Sequence, residues 1–135
     1  MNNLYGNCEC RAVCYELGDI KSVLNCHCTL CRKLTGAAFA SYIIVLEQDL
    51  KLLKGETFLS NYCAQGTTAT KFFCKVCGSP IYNKNPKYPG VNIVYLGTLA
   101  ETYHPVPKIN IYCDNKLNWL ENLFDIESLP EGIKR

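Results

Sequence analysis

The chain has 135 residues, of which 48% are apolar and 19% are charged, and its formal net charge is +2. This composition supports a buried core, so it excludes an intrinsically disordered chain and predicts a single domain over residues 1–135. The basic residues are scattered along the sequence, and we therefore expect no nucleic-acid partner.

The apolar pattern argues against two further classes of protein. The longest apolar stretches, at residues 37–46 and 91–99, have the length of strands, whereas a membrane helix needs about 20 apolar residues. The first six residues show neither the basic nor the apolar region of a secretion signal. We therefore expect a cytoplasmic protein without a membrane segment. The sequence predicts no particular oligomeric state.

The beginning of the chain predicts a β-hairpin. Residues 5–10 read as a short polar approach to the first cysteine pair. Residues 12–17 alternate between apolar and polar side chains, and Gly18-Asp19 is a turn signal. Residues 20–25 are then expected to return as the second strand of the hairpin.

A short helix and a buried strand are expected next. Residues 29–34 are predicted to be helical, with Gly36 closing the helix at its C-terminal end. Residues 37–46 are rich in β-branched and aromatic side chains, which is typical of a well-buried strand. A helical turn is predicted for residues 47–54.

The rest of the chain adds strands. They are expected at residues 57–63, 67–73, 91–99 and 108–113. A Gln65-Gly66 turn joins the first two, and residues 84–90 form an exposed loop. Residues 118–123 should form a helical turn that packs Trp119 against the sheet, and the polar tail after Pro130 should fray. Together, the expected elements make a mainly β domain with two or three helical turns.

Ten cysteines are unusual for a cytoplasmic chain of this length. In a reducing compartment, a dense cysteine set indicates metal or redox chemistry rather than disulfides. The spacing agrees, because Cys8-Glu9-Cys10, Cys26-His27-Cys28 and Cys74-Lys75-Val76-Cys77 are each good chelating pairs. We therefore interpret the cysteines as metal ligands.

The first candidate site combines two of these pairs. Its ligands are Cys8, Cys10, Cys74 and Cys77. Gly78 permits the tight turn of a zinc knuckle, in which backbone N–H groups point at the thiolates. Four sulfurs make a closed structural zinc site whose loss should unfold the domain. The alternative is four free thiols packed as small apolar groups.

The second candidate site contains Cys26, Cys28 and Cys31. Three protein ligands leave one position of a tetrahedral zinc ion open, as in catalytic sites. The alternative is a closed site with a fourth ligand from the following set: His27, His104, Cys63 or Cys113. Three other cysteines lie at predicted strand positions and are expected to be inert core thiols: Cys14, Cys63 and Cys113.

Three thiolates on one Zn²⁺ carry a net negative charge, so such a site activates water poorly. A soft incoming ligand such as a substrate thiol suits it better, and coordination would deprotonate that thiol. The resulting thiolate could attack a small electrophile such as an aldehyde.

Several motifs, in order along nearly the whole chain, resemble those of one known family. They are Gly6-Asn7-Cys8-Glu9-Cys10, Cys26-His27-Cys28-Thr29-Leu30-Cys31-Arg32-Lys33, Phe73-Cys74-Lys75-Val76-Cys77-Gly78-Ser79-Pro80-Ile81, Gly97-Thr98-Leu99 and Trp119-Leu120. With these residues the chain is similar to the glutathione-dependent formaldehyde-activating enzyme family, which also includes centromere protein V.

The resemblance implies a β-tent fold of small antiparallel sheets and two zinc ions per chain. It places a structural zinc at Cys8, Cys10, Cys74 and Cys77, and a catalytic zinc at Cys26, Cys28 and Cys31. It also implies the joining of glutathione to formaldehyde, an activity classed as a carbon–sulfur lyase for the reverse direction. Glutathione is anionic, so its carboxylates are candidates for pairing with Arg32, Lys33 or Lys71.

Two other functions fit the same residues. One is a zinc-stabilised binding module without turnover. The other is a thiol or metal sensor that uses the three-cysteine cluster. The leading hypothesis is a zinc enzyme that acts on a small thiol or on its aldehyde adduct.

Overall fold

A computed structural model describes residues 3–100 and 104–133. In these residues the chain forms ten strands: β1 Leu4–Asn7, β2 Cys14–Leu17, β3 Ile20–Cys26, β4 Ala40–Leu46, β5 Leu50–Lys54, β6 Leu59–Cys63, β7 Thr70–Cys74, β8 Pro80–Lys84, β9 Val91–Tyr95 and β10 Ile109–Ile111. The one α-helix of the described chain is α1, Thr29–Thr35. Short 3-10 helices span Glu47–Asp49, Glu56–Phe58, Leu96–Thr98, Cys113–Asn115 and Asn118–Asp125. The described residues contain no helix long and apolar enough to cross a membrane.

The strands divide into a small and a large sheet. The small sheet has the order β1-β2-β5, and the large sheet has the order β10-β3-β4-β9-β8-β7-β6. Strands β10 and β3 run parallel, while the other neighbours are antiparallel. Strand β4 therefore lies inside the large sheet, with β3 and β9 on either side.

The main core joins the two sheets. Tyr15 and Leu17 of β2 are fully buried and belong to one apolar cluster with Ile43, Val45 and Val94 of the large sheet. Because side chains alternate along a strand, Tyr42 and Ile44 of β4 point away from this core. The small sheet thus covers one face of the large sheet.

The opposite face of the large sheet carries a second, smaller cluster. Its buried members are Cys26, Ala40, Tyr42 and Tyr95. Residues of α1 and its N-cap, Cys28 and Cys31, pack against them. Strand β4 is thus covered on both faces, which explains its nearly continuous apolar sequence.

Several sequence predictions are confirmed. The protein is mainly β, and a short helix begins at Thr29. Gly36 follows this helix at φ 70°, a left-handed conformation that glycine adopts without strain, and its N–H bonds to the Arg32 carbonyl. Strands β6 and β7 pair antiparallel as expected, and residues 86–90 are exposed.

The hairpin predicted from residues 12–17 and 20–25 is wrong. Both segments are strands, but β2 belongs to the small sheet and β3 to the large one. The Gly18 N–H bonds to the Asp49 carbonyl across 2.8 Å rather than closing a hairpin turn. Each strand instead has two neighbours, since β2 lies between β1 and β5 and β3 lies between β4 and β10.

Smaller corrections concern element type. Part of the predicted polar approach at residues 5–10 belongs to strand β1. In the predicted helical turn at residues 47–54, only Glu47–Asp49 is helical and the remainder is β5. The helical turn near Trp119 is present, but 47% of the Trp119 surface is exposed, so only about half of this residue is covered.

Candidate metal centres

The first cysteine cluster brings together two segments that are far apart in sequence. The sulfurs of Cys8, Cys10, Cys74 and Cys77 all lie within 4.8 Å of one another. The Cys10 sulfur lies 3.6 Å from that of Cys8 and 3.8 Å from that of Cys74. A tetrahedral zinc ion about 2.3 Å from each ligand would hold neighbouring sulfurs about 3.8 Å apart. The separations therefore fit one shared ion.

Local backbone structure positions these sulfurs. After β1 the chain turns back on itself, with Arg11 at φ 66° and a hydrogen bond from the Cys8 N–H to the Val13 carbonyl. The Val13 N–H in turn donates to the Cys8 sulfur across 3.2 Å. On the other side Gly78, at φ 81°, donates its N–H to the Cys74 carbonyl and closes the knuckle turn.

Ser79 connects the two halves of this cluster. Its hydroxyl accepts a hydrogen bond from the Glu9 N–H across 3.0 Å and lies 3.2 Å from the Cys77 sulfur. The hydrogen bond with Ser79 lowers the pKa of Cys77 to about 5. This favours the thiolate, which is the form that binds a metal.

The second cluster is built around the start of α1. The sulfurs of Cys26, Cys28 and Cys31 lie within 4.8 Å of one another. Cys26 ends β3, Cys28 is the N-cap of α1, and Cys31 lies in the first turn of that helix. The Cys28 sulfur accepts a hydrogen bond from the Cys31 N–H across 3.2 Å. The turn into the helix thus brings all three sulfurs together.

Hydrogen bonding within the second cluster separates the thiol pKa values. The hydrogen bond with Cys31 lowers the pKa of Cys26 to about 6. The same bond, together with burial, raises the pKa of Cys31. Cys26 is therefore the more acidic of these two thiols, and a bound cation would favour the thiolate form of both.

No fourth side chain completes this cluster among residues 3–100 and 104–133. Of their His, Cys, Asp and Glu side chains, only the three cysteines converge there. His27, one of the alternative ligands, is buried with its ring 5.1 Å from that of Phe39, and its Nδ1 has no hydrogen-bond partner in the described chain. His104, Cys63 and Cys113 do not join the cluster either.

The expectation of three inert core thiols is wrong for two of them. Cys63 and Cys113 are exposed, and only Cys14 is half-buried. Cys63 ends β6, which is the edge strand of the large sheet, and Cys113 lies beyond the short β10. Positions at the periphery of a sheet leave a side chain open to solvent even where the sequence has strand character.

Sequence reasoning missed a buried polar chain that ends at the second cluster. Tyr42 donates from its hydroxyl to the Cys31 sulfur across 3.1 Å. Asn83 Nδ2 donates to the Tyr42 hydroxyl, and the Tyr95 hydroxyl donates to Asn83 Oδ1. The available signal was the presence of Tyr42 and Tyr95, which have polar ends, within two largely apolar strands. Burial raises the pKa of Tyr42, so its hydroxyl remains a donor.

The basic residues considered for substrate carboxylates differ in their surroundings. Lys71 is partly buried, its Nζ donates to the Leu34 carbonyl at the end of α1, and burial lowers its pKa. Arg32 and Lys33 line a shallow surface groove beside α1, together with Gly36. The ammonium group of Lys71 therefore already has a hydrogen-bond partner within the protein, whereas the groove lined by Arg32 and Lys33 is open to solvent.

The donor sets limit which metals these clusters suit. Both consist of sulfur alone, and soft thiolate ligands select zinc, copper(I) or iron–sulfur clusters over magnesium or calcium. Both clusters can hold a metal ion. The cysteines are all free, and each of the ten lies in the described part of the chain.

Comparison with known proteins relates the chain to a protein family and to solved structures. The family model described as "Glutathione-dependent formaldehyde-activating enzyme" matches residues 3–115. A crystal structure of a Rhodobacter sphaeroides protein matches in fold with a TM-score of 0.65 and 24% sequence identity. That match covers 79% of this chain and 98% of the other. At this identity the structural likeness concerns the fold alone.

Proposed function

The chain belongs to the glutathione-dependent formaldehyde-activating enzyme family, and from this premise we propose that it joins a small thiol such as glutathione to an aldehyde such as formaldehyde. In this reaction a bond forms between the thiol sulfur and the aldehyde carbon, and the thiol proton ends on the aldehyde oxygen. The product from glutathione is S-hydroxymethylglutathione. The reverse reaction is that of a carbon–sulfur lyase, and neither direction needs an oxidant.

The observation that carries this proposal is the donor count of the second cluster. Cys26, Cys28 and Cys31 converge, and no fourth His, Cys, Asp or Glu of residues 3–100 and 104–133 joins them. When bound there, zinc would lack a fourth protein ligand and favour the thiolate form of an incoming thiol. The first cluster has four sulfurs, so we assign it a structural zinc and the second a catalytic one.

The chain's own residues provide the surroundings of the reaction. The three sulfurs are held by the end of β3, a strand of the large sheet, and by the start of α1, whose Cys28 and Cys31 pack on one face of that sheet. Cys26 is buried, whereas Cys28 and Cys31 are half-buried, so an external ligand can approach from the helix side. Arg32 and Lys33 follow Cys31 directly and line the adjacent groove, where we place the substrate carboxylates.

The proposed setting is the cytoplasm. None of the ten cysteines forms a disulfide, and all of them are within the described residues. Seven of them form the two clusters. Thiols in such number stay reduced in a compartment that contains glutathione, which is also the proposed substrate.

The proposal is tested by following the reaction directly. Glutathione is mixed with carbon-13-labelled formaldehyde, and exchange between free aldehyde and adduct is measured by nuclear magnetic resonance. We expect the protein loaded with two zinc ions to accelerate this exchange, Cys31→Ser to abolish the acceleration and Cys63→Ser to leave it unchanged. Cys63 is the control because it is an exposed cysteine outside both clusters. Exchange that the zinc-loaded protein does not accelerate would contradict the proposal and leave a binding module or a sensor.

A further inference from the structure

We propose that Tyr42 is a positioning residue of the second cluster: its hydroxyl, oriented by Asn83 and Tyr95, fixes the Cys31 sulfur and disperses the negative charge on it. This inference rests on the proposed function only in taking the three cysteines as a metal site. It assigns a role to three residues that bind neither metal nor substrate.

The hydrogen bonds that connect Tyr95 and Asn83 through Tyr42 to the Cys31 sulfur all run in one direction. The Tyr95 hydroxyl donates to Asn83 Oδ1 across 3.0 Å, and Asn83 Nδ2 lies 3.4 Å from the Tyr42 oxygen. The Tyr42 hydroxyl then donates to the Cys31 sulfur across 3.1 Å. Since Tyr42 accepts from Asn83, its own hydrogen is directed at the sulfur. Each link therefore orients the next donor toward the cluster.

All three side chains lie inside the protein. Tyr42, Asn83 and Tyr95 are 3%, 7% and 5% exposed. Tyr42 lies on β4, Tyr95 on β9 and Asn83 on β8, and these strands are neighbours in that order in the large sheet. Tyr42 lies directly opposite Tyr95 in the register of β4 with β9. The two tyrosine rings meet edge to face at 5.1 Å. Such packing leaves little freedom for the hydroxyl that contacts Cys31.

An apolar core would be a simpler way to fill this space. Burying polar groups costs free energy unless they are hydrogen-bonded, and phenylalanine would pack equally well at Tyr42 and Tyr95. The polar chain also ends on sulfur rather than on a backbone carbonyl. A thiolate is a stronger acceptor than a neutral thiol, so the terminal hydrogen bond gains most when Cys31 is ionised.

The charge of the site explains what this hydrogen bond does. Three thiolates around one divalent cation leave an excess of one negative charge, in a region where burial weakens solvation. A hydrogen bond from Tyr42 offsets part of this charge and restrains the sulfur. It also makes Cys31 itself less nucleophilic, which reserves the reaction with an aldehyde for the incoming thiol.

The test compares two single-atom deletions. Tyr42→Phe removes the hydroxyl at the sulfur, and Tyr82→Phe is the matched control, because Tyr82 is also buried and stacks on Phe72 away from the second cluster. Zinc affinity is measured by chelator competition, and the charge-transfer absorption of the cobalt-loaded protein is recorded. We expect Tyr42→Phe to weaken the second site about 10- to 100-fold and to shift the cobalt band, and Tyr82→Phe to do neither.

Unchanged zinc affinity and an unchanged cobalt spectrum in Tyr42→Phe would overturn the inference. If Tyr42→Phe does not fold, Tyr95→Phe is tested instead. This variant removes the hydrogen bond from Tyr95 to Asn83 and leaves the Tyr42–Cys31 contact in place. A weaker second site in Tyr95→Phe supports the role, and unchanged affinity refutes it.

Turnover is measured separately on the wild-type protein. Wild-type protein that binds two metals without turnover contradicts the proposed function but leaves the positioning role to be judged by these affinities.

Discussion

The sulfur of Cys28 accepts a hydrogen bond from the Cys31 backbone N–H across 3.2 Å. Cys28 is thereby the N-cap of α1 and at the same time one of the three cysteines of the second cluster. A single sulfur thus serves both the start of the helix and the proposed metal site, and substitutions can separate these two roles.

Serine and alanine at position 28 should differ in stability but not in metal content. The hydroxyl of Cys28→Ser still accepts the Cys31 N–H, whereas Cys28→Ala loses the cap and about 1 kcal/mol of unfolding free energy. Both variants lose a thiolate ligand, and we expect each to bind one zinc per chain instead of two. Elemental analysis gives the metal content, and urea denaturation of the metal-matched variants gives the stability. Two zinc ions per chain in both variants would contradict the assignment of Cys28 as a ligand.

Chelation should remove the two metals in separate phases. The first cluster has four sulfurs, and Cys8 and Cys74 within it are completely buried, whereas the second has three sulfurs, of which two are half-buried. We expect the metal of the three-cysteine cluster to be released early, without loss of β structure. The metal of the four-cysteine cluster should be released only as the domain unfolds. Circular dichroism and metal release are followed on the same sample. Unfolding that accompanies the first equivalent of released metal would reverse the assignment.

Cys74→Ser should unfold or strongly destabilise the domain. Cys74 ends β7, is buried in the main core and links this strand to Cys10 near the N-terminus. Structural zinc sites contribute about 10–16 kcal/mol in small domains, comparable to the whole stability of a typical fold. We expect thermal unfolding at least about 10 °C below that of the parent protein. The matched control is Cys63→Ser, at an exposed site, which should unfold at the parent temperature.

Two glycines should respond differently to alanine. Gly55 (φ 84°) and Gly36 (φ 70°) both have left-handed backbone conformations. A Cβ atom at Gly55 would lie 1.9 Å from the Ala12 carbonyl oxygen, whereas none of the described atoms lies within 4 Å of one at Gly36. Gly36→Ala should therefore cost about 1–2 kcal/mol of backbone strain. Gly55→Ala should cost more than about 3 kcal/mol, because the backbone beside the first cluster must move. Equal unfolding midpoints for the two variants would show that this close approach does not constrain the fold.

Local features of the sequence were sufficient for much of the site. The spacing of Cys26, Cys28 and Cys31 predicted their convergence, because a cap followed by a helical turn brings such positions together. Gly36 similarly predicted the end of α1. These features depend on a few neighbouring residues, so they can be read without knowledge of the rest of the fold.

Long-range relationships could not be obtained in the same way. The Gly18-Asp19 turn suggested that β2 and β3 pair, yet the two strands join different sheets because each finds two other partners. The role of Tyr42 was hidden for a related reason. In an apolar strand it resembles a core residue, and its contact with Cys31 depends on the packing of α1 against β4.

The central claim is that the second cluster leaves a metal position for a thiol from outside the protein. Cobalt(II) replaces zinc at both sites, and glutathione is titrated in while the absorption spectrum is recorded, with Cys28→Ala as the control that retains only the first site. We predict a saturable change in the thiolate-to-cobalt absorption with glutathione in the wild-type protein, and none in Cys28→Ala. S-methylglutathione, which has no free thiol, should leave both spectra unchanged. A wild-type spectrum unaffected by glutathione would contradict the claim.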